Sequence, residues 1–144
     1  MKRHAGLAAL SREHHHELVV ARSLRRAAGA SADERLAAAG AYVEQFFGPT
    51  ADHFRREEEI VFPLYARHAG QTPLVDRILR EHMELHGLAR ELRAQVAAGD
   101  ASPETLATLG SLLHDHVRLE ERDLFEEIQR VVPDEELAEL AGLA

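Results

Sequence analysis

Apolar residues recur along the chain at intervals of three and four, the spacing of amphipathic α-helices, in four long stretches. The first stretch predicts a helix over roughly Gly6–Ala28. Ser31 begins a capping-box pattern, which predicts a second helix that runs to about Arg67. Gly48-Pro49 lies inside this second helix. We expect a kink there rather than a break, because the apolar stripe continues in phase on both sides.

The rest of the chain predicts two further long helices and a short tail. Caps and breakers set the boundaries: a turn over His68–Thr72, a third helix from Pro73 to Gly99, a fourth from Ser102 to Pro133, and a tail helix over Asp134–Leu143. No strand-like alternation and no internal repeat is visible. Because the connections are short, the pattern predicts one all-α domain over 1–144. Its expected form is an up-down-up-down antiparallel four-helix bundle with a short C-terminal helix.

Composition narrows the possible partners more than it narrows the fold. The chain has no cysteine, which excludes disulfides and thiolate-ligated metal sites. Its formal net charge of −8 argues against nucleic acid as a partner, because phosphate binding needs a basic surface. Neither a signal peptide nor a membrane span is visible, so we expect no membrane partner and a cytoplasmic location. Nothing in the pattern predicts the oligomeric state.

Three pairs of metal-binding residue types interrupt the apolar stripes of the second, third and fourth helices. Two residues four apart leave a helix on the same face, so each pair is expected to point into the bundle. An unpaired carboxylate buried there would cost several kcal/mol, so glutamates facing histidines indicate cations between them. At about 1.5 Å per residue, the distances from the connecting turns place the three pairs at one level. The pairs are His53/Glu57, His82/His86 and His116/Glu120.

The first helix carries three consecutive histidines, any of which would complete such a site. His14 falls near the centre of the apolar arc, His15 lies at its edge, and His16 points away. We favour His14 as the ligand and keep His15 as the alternative. The first helix fits the common level less well than the others. Either the second helix overhangs, or the Gly48-Pro49 kink absorbs the difference.

The number of candidate ligands indicates how many metals the site holds. Five histidines and two carboxylates exceed the three or four protein ligands of one zinc ion. They suit two metals about 3.5–4 Å apart, bridged by the glutamates. The remaining titratable residues near these motifs are interpreted as structural or solvated groups, with Glu121 as an alternative to Glu120. They are His4, His68, His114, Glu58, Glu59, Glu121, Glu126 and Glu127.

The chain resembles the hemerythrin-like (HHE cation-binding) domains over almost its whole length. The motifs that carry the resemblance are Leu10-Ser-Arg-Glu-His14, His53-Phe-Arg-Arg-Glu57-Glu58, Glu81-His82-Met-Glu-Leu-His86 and His116-Val-Arg-Leu-Glu120-Glu121. The resemblance implies an oxo- or hydroxo-bridged centre of two iron ions, in which Glu57 and Glu120 are the bridges. The terminal ligands that it implies are His14, His53, His82, His86 and His116.

The resemblance also implies a range of functions. Oxygen-carrying hemerythrins have an aspartate five residues after the last histidine, whereas this chain has Glu120 four residues after His116, as many bacterial HHE domains do. The expected function is binding of O2, NO or peroxide for sensing, storage or carriage. The alternative is a non-haem di-iron oxidase or peroxidase, or a protein of iron storage. Binding is favoured because no further convergent polar group indicates a route for protons. The expected lining of a dry ligand pocket is Leu18, Phe54, Leu113 and Val117.

Overall fold

The predicted all-α bundle is confirmed by a computed structural model, which describes the backbone of residues 2–143 and the side chains of residues 2–142. Within that range the chain is helical almost throughout and contains no strand. Short 3-10 turns at Ala5–Leu7 and Ala141–Leu143 flank the α-helices. The α-helices are α1 (Ala8–Ala28), α2 (Ala32–Gln45), α3 (Ala51–Arg56), α4 (Phe62–Ala69), α5 (Pro73–Ala97), α6 (Pro103–Leu119), α7 (Phe125–Val131) and α8 (Asp134–Leu140).

Two of the four long helices run without interruption across several of these elements. Five-residue π-helical turns join α2 to α3 and α3 to α4, at Phe46–Thr50 and Glu57–Val61. A third π-helical turn, Glu120–Leu124, joins α6 to α7. The chain is therefore helical from 32 to 69 (the α2–α4 helix) and from 103 to 131 (the α6–α7 helix). Such turns accommodate an additional residue and are frequent at functional sites.

The π-helical turns coincide with residues that the sequence had singled out. Pro49 lies within the first of them, so the helix does continue through Gly48-Pro49 as predicted. Glu57 and Glu120 are the first residues of the other two turns. The two candidate bridging residues therefore stand at equivalent local distortions of the backbone.

Caps set the helix boundaries close to those predicted. Ser31 and Ser102 accept hydrogen bonds from backbone N–H groups three residues on, as N-caps do. The second long helix ends at Ala69, two residues beyond the predicted end at about Arg67, so the turn before α5 is shorter than expected. Gly70 explains the difference: its φ of 71° is the left-handed conformation that glycine adopts without strain.

The four long helices form a closed ring of neighbours. The first helix, α1, contacts α2 and α6, and α5 also contacts α2 and α6. Connections of only a few residues make consecutive helices antiparallel. No helix among residues 2–143 combines the length and the apolar character that crossing a bilayer requires.

Two apolar clusters fill the interior, and the predicted ligands lie between them. One cluster includes Leu24, Phe46, Phe54, Leu85 and Leu113. The other includes Leu7, Ile78, Leu124, Phe125 and Leu137, and α8 closes it. Gly6 permits that closure, because a Cβ at this position would lie 1.9 Å from the Leu137 carbonyl oxygen. The core is thus divided by a polar layer that sits across all four helices.

Candidate metal centre

Six of the seven predicted ligands bring a donor atom into this polar layer. Their side chains are buried, with at most 2% of each exposed. Two groups of donor atoms, each within 4.8 Å of one another, share Glu120. The first group is His14, His53, Glu57 and Glu120, and the second is His82, His116 and Glu120. We call the residues around His14 and His53 the first half of the centre, and those around His82 and His116 the second half.

Glu57 spans the two halves. Its Oε2 lies 3.4 Å from His14 Nε2 and 3.2 Å from His53 Nε2. Its Oε1 lies 3.4 Å from His82 Nε2. One carboxylate oxygen therefore faces the first half, and the other faces the second.

Glu120 divides its oxygens in the same way. Its Oε2 lies 2.9 Å from His14 Nε2, whereas its Oε1 lies 3.3 Å from His82 Nε2 and 2.8 Å from His116 Nε2. Two carboxylates that each present one oxygen to either side are suited to bridging a pair of cations. The arrangement of the two glutamates therefore fits two metals better than one.

Several of these atoms are close to a partner without forming a hydrogen bond to it. Both oxygens of Glu57, Oε2 of Glu120 and Nε2 of His116 are buried and have no hydrogen-bond partner. Unpartnered buried carboxylate oxygens are costly. Their lone pairs point into a common space, and cations coordinated there would remove the cost. Imidazole nitrogens and carboxylate oxygens without thiolates form a donor set suited to iron.

A second layer of glutamates holds the four buried imidazoles in place. In each ring Nε2 faces the centre, so Nδ1 is free to donate to a carboxylate on a neighbouring helix. This is the arrangement that orients metal-binding histidines and makes them better ligands. The Nδ1-to-oxygen distances are 2.8 Å for His14–Glu121, 2.9 Å for His53–Glu13, 2.6 Å for His82–Glu58 and 2.8 Å for His116–Glu81.

These outer glutamates correct the interpretation of Glu58 and Glu121 as solvated charge. Glu121 holds His14 and does not replace Glu120 at the centre, where both Glu120 oxygens already lie. Glu13 and Glu81 were not predicted at all. A sequence signal did exist, since each outer glutamate is adjacent to a predicted ligand. Its partner, however, is always on another helix, which the sequence alone does not pair.

Arginines hold three of the four outer glutamates. Arg3 lies 2.7 Å from Glu121, and Arg56 pairs with Glu13. Arg77 lies 3.2 Å from Glu81. The fourth outer glutamate, at position 58, has no such cation among the described side chains. Although burial opposes the effect, hydrogen bonds from His53 and Arg56 lower the pKa of Glu13 to about 2.

Without metal, the centre is held together by charge pairing between its own residues. Burial alone would lower the pKa of each imidazole, but the surrounding carboxylates outweigh burial. They raise the pKa of His53 to about 9 and that of His82 to about 11. The pKa values of His14 and His116 are raised for the same reason. The carboxylates therefore favour positive charge at this position, whether protons or metal cations supply it.

The pKa values of the two candidate bridging carboxylates, Glu57 and Glu120, are shifted in the opposite direction, downward. Burial raises the pKa of Glu120, but the charge of His116 and its close approach to His116 and His14 lower it well below the usual value. The pKa of Glu57 is also lowered, because the charge of His53 and the close approach of His14 outweigh burial and repulsion from Glu120. Both groups are thus ionised, the form in which carboxylates bind metals.

His86 is the one predicted ligand that the structure leaves outside both donor groups. It lies one turn from His82 on the same helix, but its ring packs edge-on against Phe46, with centroids 4.9 Å apart. Burial lowers the pKa of His86, the charge of Glu58 opposes that shift, and the charge of His82 adds to it. Because its ring is neutral, His86 is not attracted electrostatically to the glutamates as the other four histidines of the predicted ligand set are. Its role as a ligand stays a prediction.

The remaining histidines lie away from the centre. His15 and His16 are exposed, and on α1 it is His14 that reaches the centre. His4 accepts a hydrogen bond from the Gly6 N–H, and His68 pairs with Glu136 at 2.8 Å. His114 lies 3.1 Å from Asp115, its neighbour in the chain.

Apolar side chains enclose the centre on the side of the first cluster. Phe54, Leu113 and Val117 are buried, and Leu18 packs against them. The Phe54 ring stacks on His82, with centroids 3.8 Å apart and planes at 7°. The four residues expected to line a dry pocket therefore belong to one apolar cluster next to the centre.

Sequence comparison with known protein families identifies the family to which the chain belongs. Residues 5–128 match the hemerythrin HHE cation-binding domain, which covers both donor groups and all four outer glutamates. The chain is therefore a member of that family, as the sequence motifs predicted. No curated protein and no solved structure matches it.

Proposed function

We propose that this chain is a di-iron protein that binds O2, or a related small ligand such as NO or peroxide, for sensing, storage or carriage. The proposed ligand set is His14, His53, Glu57, His82, His86, His116 and Glu120. The observation that supports it best is the division of oxygens in Glu57 and Glu120, each with one oxygen toward either half. Iron, when bound, supplies the electrons for O2 chemistry.

Counting donors suggests where a small ligand would enter. The first half offers two imidazoles and one oxygen from each bridging glutamate. The second half offers the same set, and His86 is a third imidazole in the proposal. An octahedral ion with fewer protein ligands keeps more positions open. The first half is therefore the proposed side for the small ligand, and the apolar cluster around Phe54 would limit access of water.

Metal loading tests the proposal directly. The full chain is stripped with a chelator, loaded with Fe²⁺ without oxygen, and analysed for iron. Two irons per chain are expected. One equivalent of zinc in protein as isolated, with no uptake of iron, would contradict the proposal. The variant Glu59→Gln serves as a control and should bind as much iron as the wild type. Glu59 is exposed and pairs with Arg55 at 3.0 Å, away from the centre.

Reaction with oxygen then separates binding from catalysis. If the protein binds O2 reversibly, a new visible band appears on exposure to oxygen and disappears under reduced pressure. A band that instead decays to the ferric spectrum while peroxide is consumed would favour the oxidase or peroxidase alternative. Iron storage would require uptake well beyond two irons per chain.

A further inference from the structure

A buried polar pair lies one helical turn from the first half of the centre. Thr50 Oγ1 donates to Glu17 Oε1 at 2.6 Å, and both side chains are almost completely buried. Glu17 follows His14 by three residues, which is about 4.5 Å along α1. Thr50 precedes His53 by three residues and ends the first π-helical turn. The pair therefore spans the same two helices that carry the histidines of the first half.

Part of this pair has no protein partner. Glu17 Oε2 is buried without a hydrogen bond, and no cation lies within ion-pair distance of it among the described side chains. The hydroxyl of Tyr42 is buried and unpartnered as well. Burial raises the pKa of Tyr42, and the charge of Glu17 raises it further, so the two groups are electrostatic neighbours. Unsatisfied buried polar groups of this kind are rare and require an explanation.

Helix packing alone does not require a polar pair at this position, because the second half has apolar residues at the corresponding positions. Counted from the corresponding histidines, Leu85 takes the place of Glu17 and Leu113 takes the place of Thr50. Both leucines are fully buried in the apolar cluster. The corresponding positions are thus occupied by two buried leucines in one half and by a carboxyl and a hydroxyl in the other.

The pair also has access to solvent. A surface cleft of about 410 Å³ opens between α1 and the α2–α4 helix, and the largely buried Glu17 is one of the residues that line it. Charged and polar side chains line the rest of the cleft, among them Arg12, His16, Asp52 and Arg56. Water in this cleft would reach Glu17, which lies on the same face of α1 as His14, three residues away.

We propose that Glu17, held by Thr50, carries protons between this cleft and the first half of the metal centre. The inference rests on the proposed di-iron function, and it supplies the proton route that sequence reasoning did not find. Glu17 takes up a proton on Oε2 from water in the cleft and passes it to the centre, so its carboxylate is restored after each transfer. A centre with such a route can reduce the peroxide that it binds, and peroxide is one of the small ligands proposed above.

A single turnover with hydrogen peroxide tests the route. Two protons and the electrons of two Fe²⁺ ions convert one H2O2 to two waters and leave two Fe³⁺. The Fe²⁺-loaded full chain is mixed with one equivalent of H2O2 and the ferric absorbance is followed. Glu17→Gln keeps the shape of the side chain but not its ability to carry a proton. We expect a rate roughly a hundredfold lower, the range of lost acid–base assistance.

Two further measurements distinguish a proton carrier from a structural residue. Infrared difference spectra recorded during the reaction in H2O and in D2O are expected to show a transient deuterium-sensitive carboxyl band that Glu17→Gln removes. Iron content and melting temperature are expected to stay at wild-type values in Glu17→Gln. The double variant Glu17→Leu with Thr50→Leu copies the second half and is expected to fold and bind iron, yet to react as slowly. Glu44→Gln, an exposed carboxyl on α2, is the matched control and should match wild type throughout.

The outcomes separate this proposal from the one on which it rests. If wild type takes up no iron, the di-iron function fails and the proton route fails with it. If wild type binds two irons and Glu17→Gln reacts within twofold of it, only the proton route is wrong. Loss of iron in Glu17→Gln would also overturn the route, because Glu17 would then be needed for metal binding.

Discussion

The two halves of the metal centre are alike in their imidazoles and in the carboxylates that hold those imidazoles. In each half a Glu-His pair on one helix meets a His-x-x-x-Glu-Glu motif on the next, and a π-helical turn begins at the bridging glutamate. The pairing crosses over in the same way, since Glu13 holds His53 just as Glu81 holds His116. No repeat is visible in the hydrophobic pattern, yet the halves correspond residue by residue around the centre.

The halves differ in the turn beyond the shared residues. Glu17 and Thr50 stand in the first half where the second has Leu85 and Leu113. Conversely, His86 stands in the second half where the first has Leu18. The shared residues are the proposed ligands and the groups that orient them, and the polar departures from the shared pattern are where the halves are expected to act differently. One departure brings a carboxyl to the first half, and the other brings a candidate ligand to the second.

The largest effect is expected from replacing Glu57 or Glu120, because each of these side chains faces both halves of the centre. Glu57→Gln and Glu120→Gln each take away a negative oxygen from both halves at once. Iron should fall from two per chain to near zero, a loss greater than the roughly 10–100-fold change typical of residues outside the ligand set. Iron analysis after desalting measures it. Retention of one tightly bound iron in either variant would contradict this expectation, since it would show that the two halves bind iron independently.

The next largest effect concerns pH and involves both halves. In the metal-free protein the folded-state pKa values of His53 and His82, about 9 and about 11, exceed the unfolded value of about 6.5. Their stabilising contribution is therefore complete below about pH 6.5 and is lost as pH rises through those values. Iron requires neutral imidazoles, so its apparent affinity should rise roughly tenfold per pH unit for each proton displaced.

Melting curves of the iron-loaded and metal-free protein between pH 6 and pH 10 test this expectation. The difference between the two melting temperatures should widen as pH rises, because the metal-free form loses charge pairing while the loaded form gains affinity. A difference that stays constant would mean that iron does not displace protons from the buried histidines. Mn²⁺, a divalent ion with little redox chemistry under these conditions, serves as a control against oxidation.

The fold was largely predictable from the sequence, whereas the second layer of the site was not. Apolar stripes, caps such as Ser102 and breakers such as Gly99 are local signals, and they placed the helices to within a few residues. The π-helical turns were not predicted, because stripes and caps indicate where a helix begins and ends but not a local change of hydrogen-bond pattern within it. His14 and Glu57 were found because they interrupt a stripe at a buried position.

What remained unpredicted depends on contacts between helices. Glu13 sits beside His14 in the chain but binds His53, and no local pattern indicates that partner. Glu17 gave no signal either, since a single glutamate on a helix is usually solvated. Only the approach of Thr50, which lies 33 positions away, reveals that Glu17 is buried.

A third prediction makes the two halves more alike. His86→Leu replaces the unique histidine of the second half with the residue type found at Leu18 in the first. If His86 binds metal, iron should fall from two per chain to about one, or the second iron should bind far more weakly. Leu18→Ala is the control for altered packing at the equivalent position. Two irons held with unchanged affinity in His86→Leu would remove His86 from the ligand set.

A fourth prediction concerns the outer glutamates. Each of Glu13→Gln, Glu58→Gln, Glu81→Gln and Glu121→Gln keeps the side chain but removes the negative charge that holds an imidazole. Iron affinity should fall by roughly 10–100-fold in each case, the range found for residues that orient metal ligands. Competition with a chelator of known affinity measures the change. Equal affinity in all four variants and in wild type would show that the imidazoles are held by packing alone.

The smallest effects are expected from the arginines, and they should differ between the halves. Arg3 and Arg56, which serve the first half, expose only 19% and 17% of their side chains, whereas Arg77 in the second half exposes 59%. Solvent screens an exposed ion pair, which is then worth less than about 1 kcal/mol. Arg3→Gln and Arg56→Gln should therefore weaken iron binding a few-fold, and Arg77→Gln less than twofold. The same chelator competition at low and high salt ranks them, since only the exposed pair is expected to lose its remaining effect in salt. If Arg77→Gln proved as damaging as Arg56→Gln, burial would not be what distinguishes the two halves at this distance from the metals.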